Sequence, residues 1–182
     1  WRVLPYGINY NYQTVKAEEA PKTWEELLLP KWKGKFGMAN PGIHVTTLQF
    51  VLNLDKLLGP KWVKVVEGWA KQDPRVGRSL ADTIQPLTAG EVDAAIGYIK
   101  DKYQYPGPIE YVRMNRYLAS LSFVAINRQA PHPAAARLFT EFFLGADSQR
   151  IFGNLGEYVF HPEADHKFKK DVKDDQIVVM RL

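Results

Sequence analysis

The alternation of apolar and polar residues divides the chain into short strands and helices. Residues 6–13 (YGINYNYQ) alternate apolar with polar and are rich in Tyr, which predicts a strand. Thr23, with Glu26 three residues on, has the spacing of a capping box, so a short helix is expected before Pro30. KFGMANPG (35–42) reads as a short strand running into a turn. From His44 to Leu58 apolar residues fall on more than one face (Val45, Leu48, Val51 and Leu52, then Phe50, Leu54 and Leu57). That helix is expected to be buried nearly all round. Residues 59–72 open with Pro60 and place Trp62, Val65, Val66, Trp69 and Ala70 on one helical stripe.

Further along, PRVG (74–77) reads as a short strand, and Ser79 caps the next helix with Asp82 at its third position. Leu80, Ile84 and Leu87 form its inner face and Gly90 ends it, while Pro86 predicts a kink or an early stop. VDAAIGYI (92–99), IEYVRM (109–114) and LASLSFVAINR (118–128) read as strands, with a loop over 100–108. Residues 132–145 form the clearest helix, with Ala135, Leu138, Phe139, Phe142 and Phe143 on one face. A second helix follows over 147–156, capped near Asp147 or Ser148. From Glu157 the chain is polar, apart from IVVM near its end. Strands alternating with helices, without repeats or a low-complexity linker, indicate an α/β protein.

Composition narrows the picture. With 182 residues and 46% apolar content the chain suits one ordinary domain or two small lobes around a real core. Aromatic residues at 13% argue against disorder. The net charge of +4 is scattered among acids rather than gathered in a stripe, so no nucleic-acid partner is expected. The absence of Cys excludes disulfides, zinc–thiolate sites and a catalytic thiol, and suits an exported protein as well as a cytosolic one. No run is long and apolar enough for a membrane span, and no signal peptide is seen. The chain opens at Trp1 without an initiator Met, so a processed or truncated product is expected, with any export signal upstream.

Three segments carry a family resemblance: PKTWEELLLPKWKGKFGMANPG (21–42), LTAGEVDAAIGY (87–98) and APHPAAARLFTEFFLGADSQRIF (130–152). In this order and spacing, over residues 5–163, the chain resembles the extracellular solute-binding proteins of ABC importers. These are the two-lobed periplasmic class that includes ferric-ion and polyamine binders. The resemblance implies an α/β, class II periplasmic-binding-protein-like lobe, a mixed sheet flanked by helices, with the N-terminal lobe largely absent. It implies a hinge strand over 1–13, the second ligand-binding lobe over 14–115, and a return strand with C-terminal helices over 116–182 that normally pack on the first lobe. Their apolar faces would then need cover, from each other or from a second copy of the chain.

In such proteins the ligand sits between lobes, facing helix N-termini and strand ends. Free N–H groups and the helix dipole there favour anions. NPGIHVTT (40–47) resembles an anion-facing turn, which makes His44, Val45 and Thr46 ligand-binding candidates; otherwise Thr46 and Thr47 only cap the helix and His44 lies on the surface. Arg78 beside Ser79 offers a fork for a carboxylate or phosphate, or else is a solvated Arg next to an ordinary cap. Tyr98 and Lys100 stand where family members place ligand contacts. Ferric-ion binders carry adjacent tyrosines there; this chain has Lys100 and Asp101, and Tyr98 and Tyr103 are not adjacent, so no metal ligands are expected. HPEADH (161–166) reads as a solvated tail.

No nucleophile motif, acid–base pair or phosphate-binding glycine loop is present, so neither an enzyme nor a cofactor is expected. The expected function is capture of a small anionic or polar solute, or a metal–anion complex, for delivery to a membrane permease in the periplasmic or extracellular space. Closure would bend the paired strands near Tyr6–Asn11 and Leu121–Asn127. A homodimer through the C-terminal faces is a further expected partner. The alternatives are a sensor or dimerisation module with no ligand role, or an enzyme on the same fold.

Overall fold

The computed structural model describes residues 1–181 and builds them around one long strand, β1 (Arg2–Asn11). The carboxyl-terminal half of β1 pairs antiparallel with β4 (Ala94–Tyr98) and β5 (Ile109–Tyr111). Its amino-terminal half pairs antiparallel with β6 (Tyr117–Ser122) and β7 (Tyr158–Val159). Two half-sheets therefore share β1. One runs β3 (Arg75–Gly77), β2 (Phe36–Ala39), β4, β1, β5, with β2 parallel to both β3 and β4. The other runs β7, β1, β6, β8 (Ile177–Val179), with β8 parallel to β6. Helices α1 (Val45–Leu52), α2 (Asp55–Leu58), α3 (Trp62–Lys71), α4 (Ala81–Ala89), α5 (Asp101–Gln104), α6 (Pro133–Leu144) and α7 (Ala146–Asn154) complete the α/β architecture.

The two-residue period of β1 sends Tyr6, Ile8 and Tyr10 to one face, where an aromatic cluster forms. Phe50 of α1 stacks on Tyr6 with centroids 4.6 Å apart and meets Trp24 at 5.1 Å and Trp69 at 6.5 Å. The Trp69 indole N–H donates to the Trp24 carbonyl at 3.0 Å, which ties the stripe of α3 to the segment before it. On the opposite face α4 lays Ile84 and Leu87 against Ala95 and Ile109. The ligand-binding half-sheet expected from the sequence is thus covered on both faces.

Several elements depart from the sequence expectation. Half of the expected capping box forms: Glu26 N–H donates to Thr23 Oγ1 at 3.3 Å, but Glu26 Oε2 accepts from Lys22 N–H at 2.9 Å in place of Thr23 N–H. The segment nonetheless winds into two 3₁₀ turns, Glu25–Leu28 and Pro30–Trp32, because Pro30 interrupts it before an α-helix can extend. The helix after His44 is not buried all round: Val45, Leu48 and Leu52 form an outward stripe. It also breaks at Asn53, whose amide donates to Gln49 O and whose Oδ1 accepts from Arg181 N–H at 2.7 Å. α4 runs through Pro86 to Ala89, since the burial of Ile84, Pro86 and Leu87 outweighs one missing helical hydrogen bond.

Residues 101–104 form the short α5 where a loop is expected, and the strand expected over 118–128 ends at Ser122. α7 is capped by the Gly145 backbone, with Asp147 in its first turn. α6 buries none of its residues: Leu138, Phe139 and Phe142 are 70%, 60% and 65% exposed.

Candidate functional site

Because β2, β3 and β4 run parallel, their carboxyl ends lie along one edge of the half-sheet. The segments leading to α1, α4 and α5 all leave from that edge, the usual position of a binding crevice in such sheets. β1 runs antiparallel to β4 and sets Tyr6 directly opposite Tyr98. His44, Val45, Thr46, Arg78, Ser79, Tyr98 and Lys100, from three separate segments, are thereby brought to a single edge.

The turn before α1 is built by Asn40. Its Oδ1 accepts from Gly42 N–H at 2.8 Å, its carbonyl accepts from Ile43 and His44 N–H, and its own N–H donates to Gly77 O at 2.8 Å. That last bond fastens the α1 turn to the end of β3. His44 is the N-cap residue, and its Nδ1 accepts from Thr47 N–H at 3.3 Å. The Thr47 and Thr46 hydroxyls lie 2.8 Å and 3.4 Å from the same nitrogen. An accepting Nδ1 leaves the proton on Nε2, so the ring presents a donor beyond the cap. Burial lowers the His44 pKa and keeps the ring neutral near pH 7. The first-turn N–H groups of Val45 and Thr46 have no acceptor within the helix.

Behind this turn lies Tyr6, wholly buried. Its ring meets the edge of Tyr98 at 4.7 Å. Its hydroxyl is surrounded by those of Thr46, Thr47 and Tyr98, yet no partner completes a hydrogen bond of good geometry. Burial first, and then Tyr98, hold the phenol far above its usual pKa, so it is a neutral hydroxyl rather than a phenolate.

Beneath Tyr98 is a second buried polar group. Asp101 Oδ2 accepts from Tyr98 N–H at 3.1 Å, and Asn9 Nδ2 donates to Tyr98 O at 3.1 Å. Gly97 makes room for both: a Cβ there would lie 3.0 Å from Asp101 Oδ2 and 3.3 Å from Asn9 Nδ2. Burial pushes the Asp101 carboxyl up to about 7, against the lowering effect of Lys100.

The remaining candidates are occupied by the chain itself. Asp82 Oδ2 accepts from the N–H groups of Arg78 and Ser79 at 2.9 Å and 3.1 Å, and Ser79 Oγ accepts from Asp82 N–H at 3.3 Å. A resident carboxylate thus fills the turn before α4, while Arg78 is exposed. Lys100 Nζ donates to Glu157 Oε1 at 2.8 Å, an oxygen that also takes Arg2 Nη1 and Gln104 Nε2.

Tyr6 and Glu157 were not offered as site residues by the sequence, whereas Thr47 was named in the first turn of the helix and Asp101 beside Lys100. The two-residue period of β1, read against Tyr98, points to Tyr6. Glu157 carries no local signal, since its partners lie more than fifty residues away. Among the described residues no group of three or more His, Asp or Glu is placed to hold a metal ion. In the HPEADH segment, His166 stacks on Tyr158 at 4.1 Å and Glu163 pairs with Arg150 at 3.2 Å. A well-formed cavity lies elsewhere, against the other half-sheet and lined by Val3, Leu121, Val159 and Ile177.

The profile described as bacterial extracellular solute-binding protein matches residues 2–177. The chain belongs to this family. Its fold is that of periplasmic binding proteins. Iron-bound HitA from Pseudomonas aeruginosa aligns with 91% of this chain and 57% of its own length, at 21% identity and a TM-score of 0.73. AfuA from Actinobacillus pleuropneumoniae, with fructose-6-phosphate bound, aligns over 96% and 60%, at 20% identity and a TM-score of 0.76. The substrate binding protein of an ABC transporter from Agrobacterium tumefaciens aligns over 98% and 57%, at 13% identity and a TM-score of 0.79. These likenesses are of fold, and the chain spans about three fifths of each structure. No curated protein sequence matches it. Among the described residues no helix is long and apolar enough to cross a membrane.

Proposed function

We propose that this chain is the ligand-contacting second lobe of a solute-binding protein serving an ABC permease, and that it grips an oxyanion, a phosphate or carboxylate group, at the amino end of α1. The carrying observation is the Tyr6 hydroxyl, buried without a partner beside Thr46, Thr47 and Tyr98. Around it stand the N–H groups of Val45 and Thr46 and the Nε2 proton of His44. These are donors, and the carboxyl beneath Tyr98, Asp101, is largely neutral below pH 7. Such a set suits a negatively charged oxygen and the positive end of a helix. Direct ferric-ion binding is the poorer reading, because the position at which ferric-ion binders carry adjacent tyrosines holds Lys100 and Asp101 here.

In this reading residues 1–13 form a hinge strand, 14–115 the lobe, and 116–182 the return strand and the helices that pack on a first lobe. The exposed apolar face of α6 supports that division. The ligand would be held between two lobes outside the cytoplasm, as family membership supports, with binding rather than chemistry as the outcome. Arg78 would reach the ligand from the rim. Titrating the chain with inorganic phosphate tests the reading, followed through the backbone amide signals of residues 43–48. Saturable shifts centred on Val45 and Thr46 are expected; their absence at tens of millimolar phosphate would refute it.

The same exposed helix face supports a second reading, a homodimer closed through α6. Native mass spectra decide between a monomer and a dimer.

A further inference from the structure

Glu157 is buried just before β7, with its side chain only 6% exposed. One of its oxygens receives Arg2, Lys100 and Gln104 together, while Oε2 is buried without a partner. Two cations therefore share one carboxylate. Arg2 alone balances Glu157 and is held further by a bond from its Nε to Ser122 Oγ at 3.3 Å. Lys100 is the surplus charge, and its departure would leave a neutral pair rather than an orphaned ion, the outcome that makes breaking a buried pair costly.

The clasp also borders the oxyanion site. Arg2 and Tyr6 lie on the same face of β1 by the strand's period. Lys100 follows Tyr98 by two residues, and its Nζ lies 5.8 Å from the Tyr98 ring centroid. A lysine head on a flexible four-carbon stem can swing that distance. Among the described residues no other basic side chain lies over the Tyr98 ring; the α1 turn offers only neutral donors, and Arg78 follows β3.

We propose that Lys100 is exchanged between two anions: Glu157 holds it while the lobe is empty, and an oxyanion seated at the amino end of α1 draws it away. Glu157 is then an internal competitor that sets the affinity of the site, and Lys100 supplies a mobile positive charge from beside Tyr98. This rests on the oxyanion reading above.

The test is a phosphate titration by amide NMR of the 182-residue chain and of Glu157→Gln, Glu157→Asp, Lys100→Gln and the Glu157→Gln/Lys100→Gln double variant. Glu157→Gln is expected to tighten phosphate about tenfold, a change of about 1.4 kcal/mol. Lys100→Gln is expected to weaken it severalfold, the double variant to match Lys100→Gln, and Glu157→Asp to show no tightening. A folded Glu157→Gln chain with unchanged affinity, or one that tightens equally without Lys100, overturns the exchange while the oxyanion reading stands. Should Glu157→Gln fail to fold, unchanged affinity in Lys100→Gln overturns it. If neither the parent chain nor any variant shifts at residues 43–48, the exchange falls together with the oxyanion reading.

Discussion

Trp69 and Phe142 are both large aromatic side chains on amphipathic helices, and they meet opposite fates. Trp69 on α3 is buried against Trp24 and Phe50, and its indole N–H is bonded. Phe142 on α6 stands in solvent beside Leu138 and Phe139, with the apolar loop residues Phe123, Val124 and Ile126 also exposed. The periodicity that builds the two stripes is the same. A stripe declares which face of a helix wants cover, and says nothing of where the cover comes from. Around β4 the cover lies within this chain; over α6 it does not. An apolar patch of this kind on a folded protein marks an interface.

The contrast can be broken most sharply at Phe50, which touches Tyr6, Trp24 and Trp69. Phe50→Ala is expected to cost about 3–5 kcal/mol in urea unfolding, by lost burial and the cavity left behind. Phe142→Ala should cost almost nothing in the same assay. Equal losses at the two positions would mean that α6 is covered in solution.

Asp101 gives the next largest effect. Its folded pKa, about 7, stands above the ordinary value of 3.8, so the folded chain holds more protons than the unfolded one between those limits. Its contribution to stability is therefore full below about pH 4 and lost as pH rises through 7. Asp101→Asn keeps an acceptor for Tyr98 N–H and removes the titration. It should raise stability at pH 8 by about 2–4 kcal/mol and flatten the slope between pH 4 and 7. An unchanged slope would mean that Asp101 is ionised throughout.

At the α1 turn the effects are smaller and fall on binding. Tyr6→Phe removes a buried hydroxyl that has no partner in the unliganded lobe, so stability should hold or rise by up to about 1 kcal/mol. Phosphate affinity should fall about tenfold, the loss of one hydrogen bond to an anion. Unchanged affinity would remove Tyr6 from the site. The smallest effect is expected at Leu138→Ser on α6, within about 0.5 kcal/mol of the parent. Binding of a hydrophobic dye should fall with it; an unaltered dye signal would place the sticky surface elsewhere.

Much of the fold was legible because local signals and tertiary outcome agree. The stripe of α3, the Gly90 end of α4 and the buried run of β4 stand where pattern places them. The misreadings share one cause. The 3₁₀ turns around Pro30, the passage of α4 through Pro86 and the outward stripe of Val45, Leu48 and Leu52 each turn on what packs nearby, which propensity does not record. At the site, the turn at His44 was visible as a capping pattern. The cap itself proved to be the imidazole, which a threonine-centred reading does not anticipate.

By itself the sequence determined an α/β chain, the order of its main strands and helices, the absence of thiol chemistry and the resemblance that the family match bears out. These follow from period, composition and short motifs, which are properties of neighbours in sequence. Only the tertiary structure decided that Tyr6 faces Tyr98 behind Thr46 and Thr47, that Asp82 closes the Ser79 turn, and that Lys100 is held by Glu157. Those are encounters between residues far apart in the chain. Strand register, parallel alignment at one sheet edge and the burial of charge bring them about, and none of these is written in any single stretch of sequence.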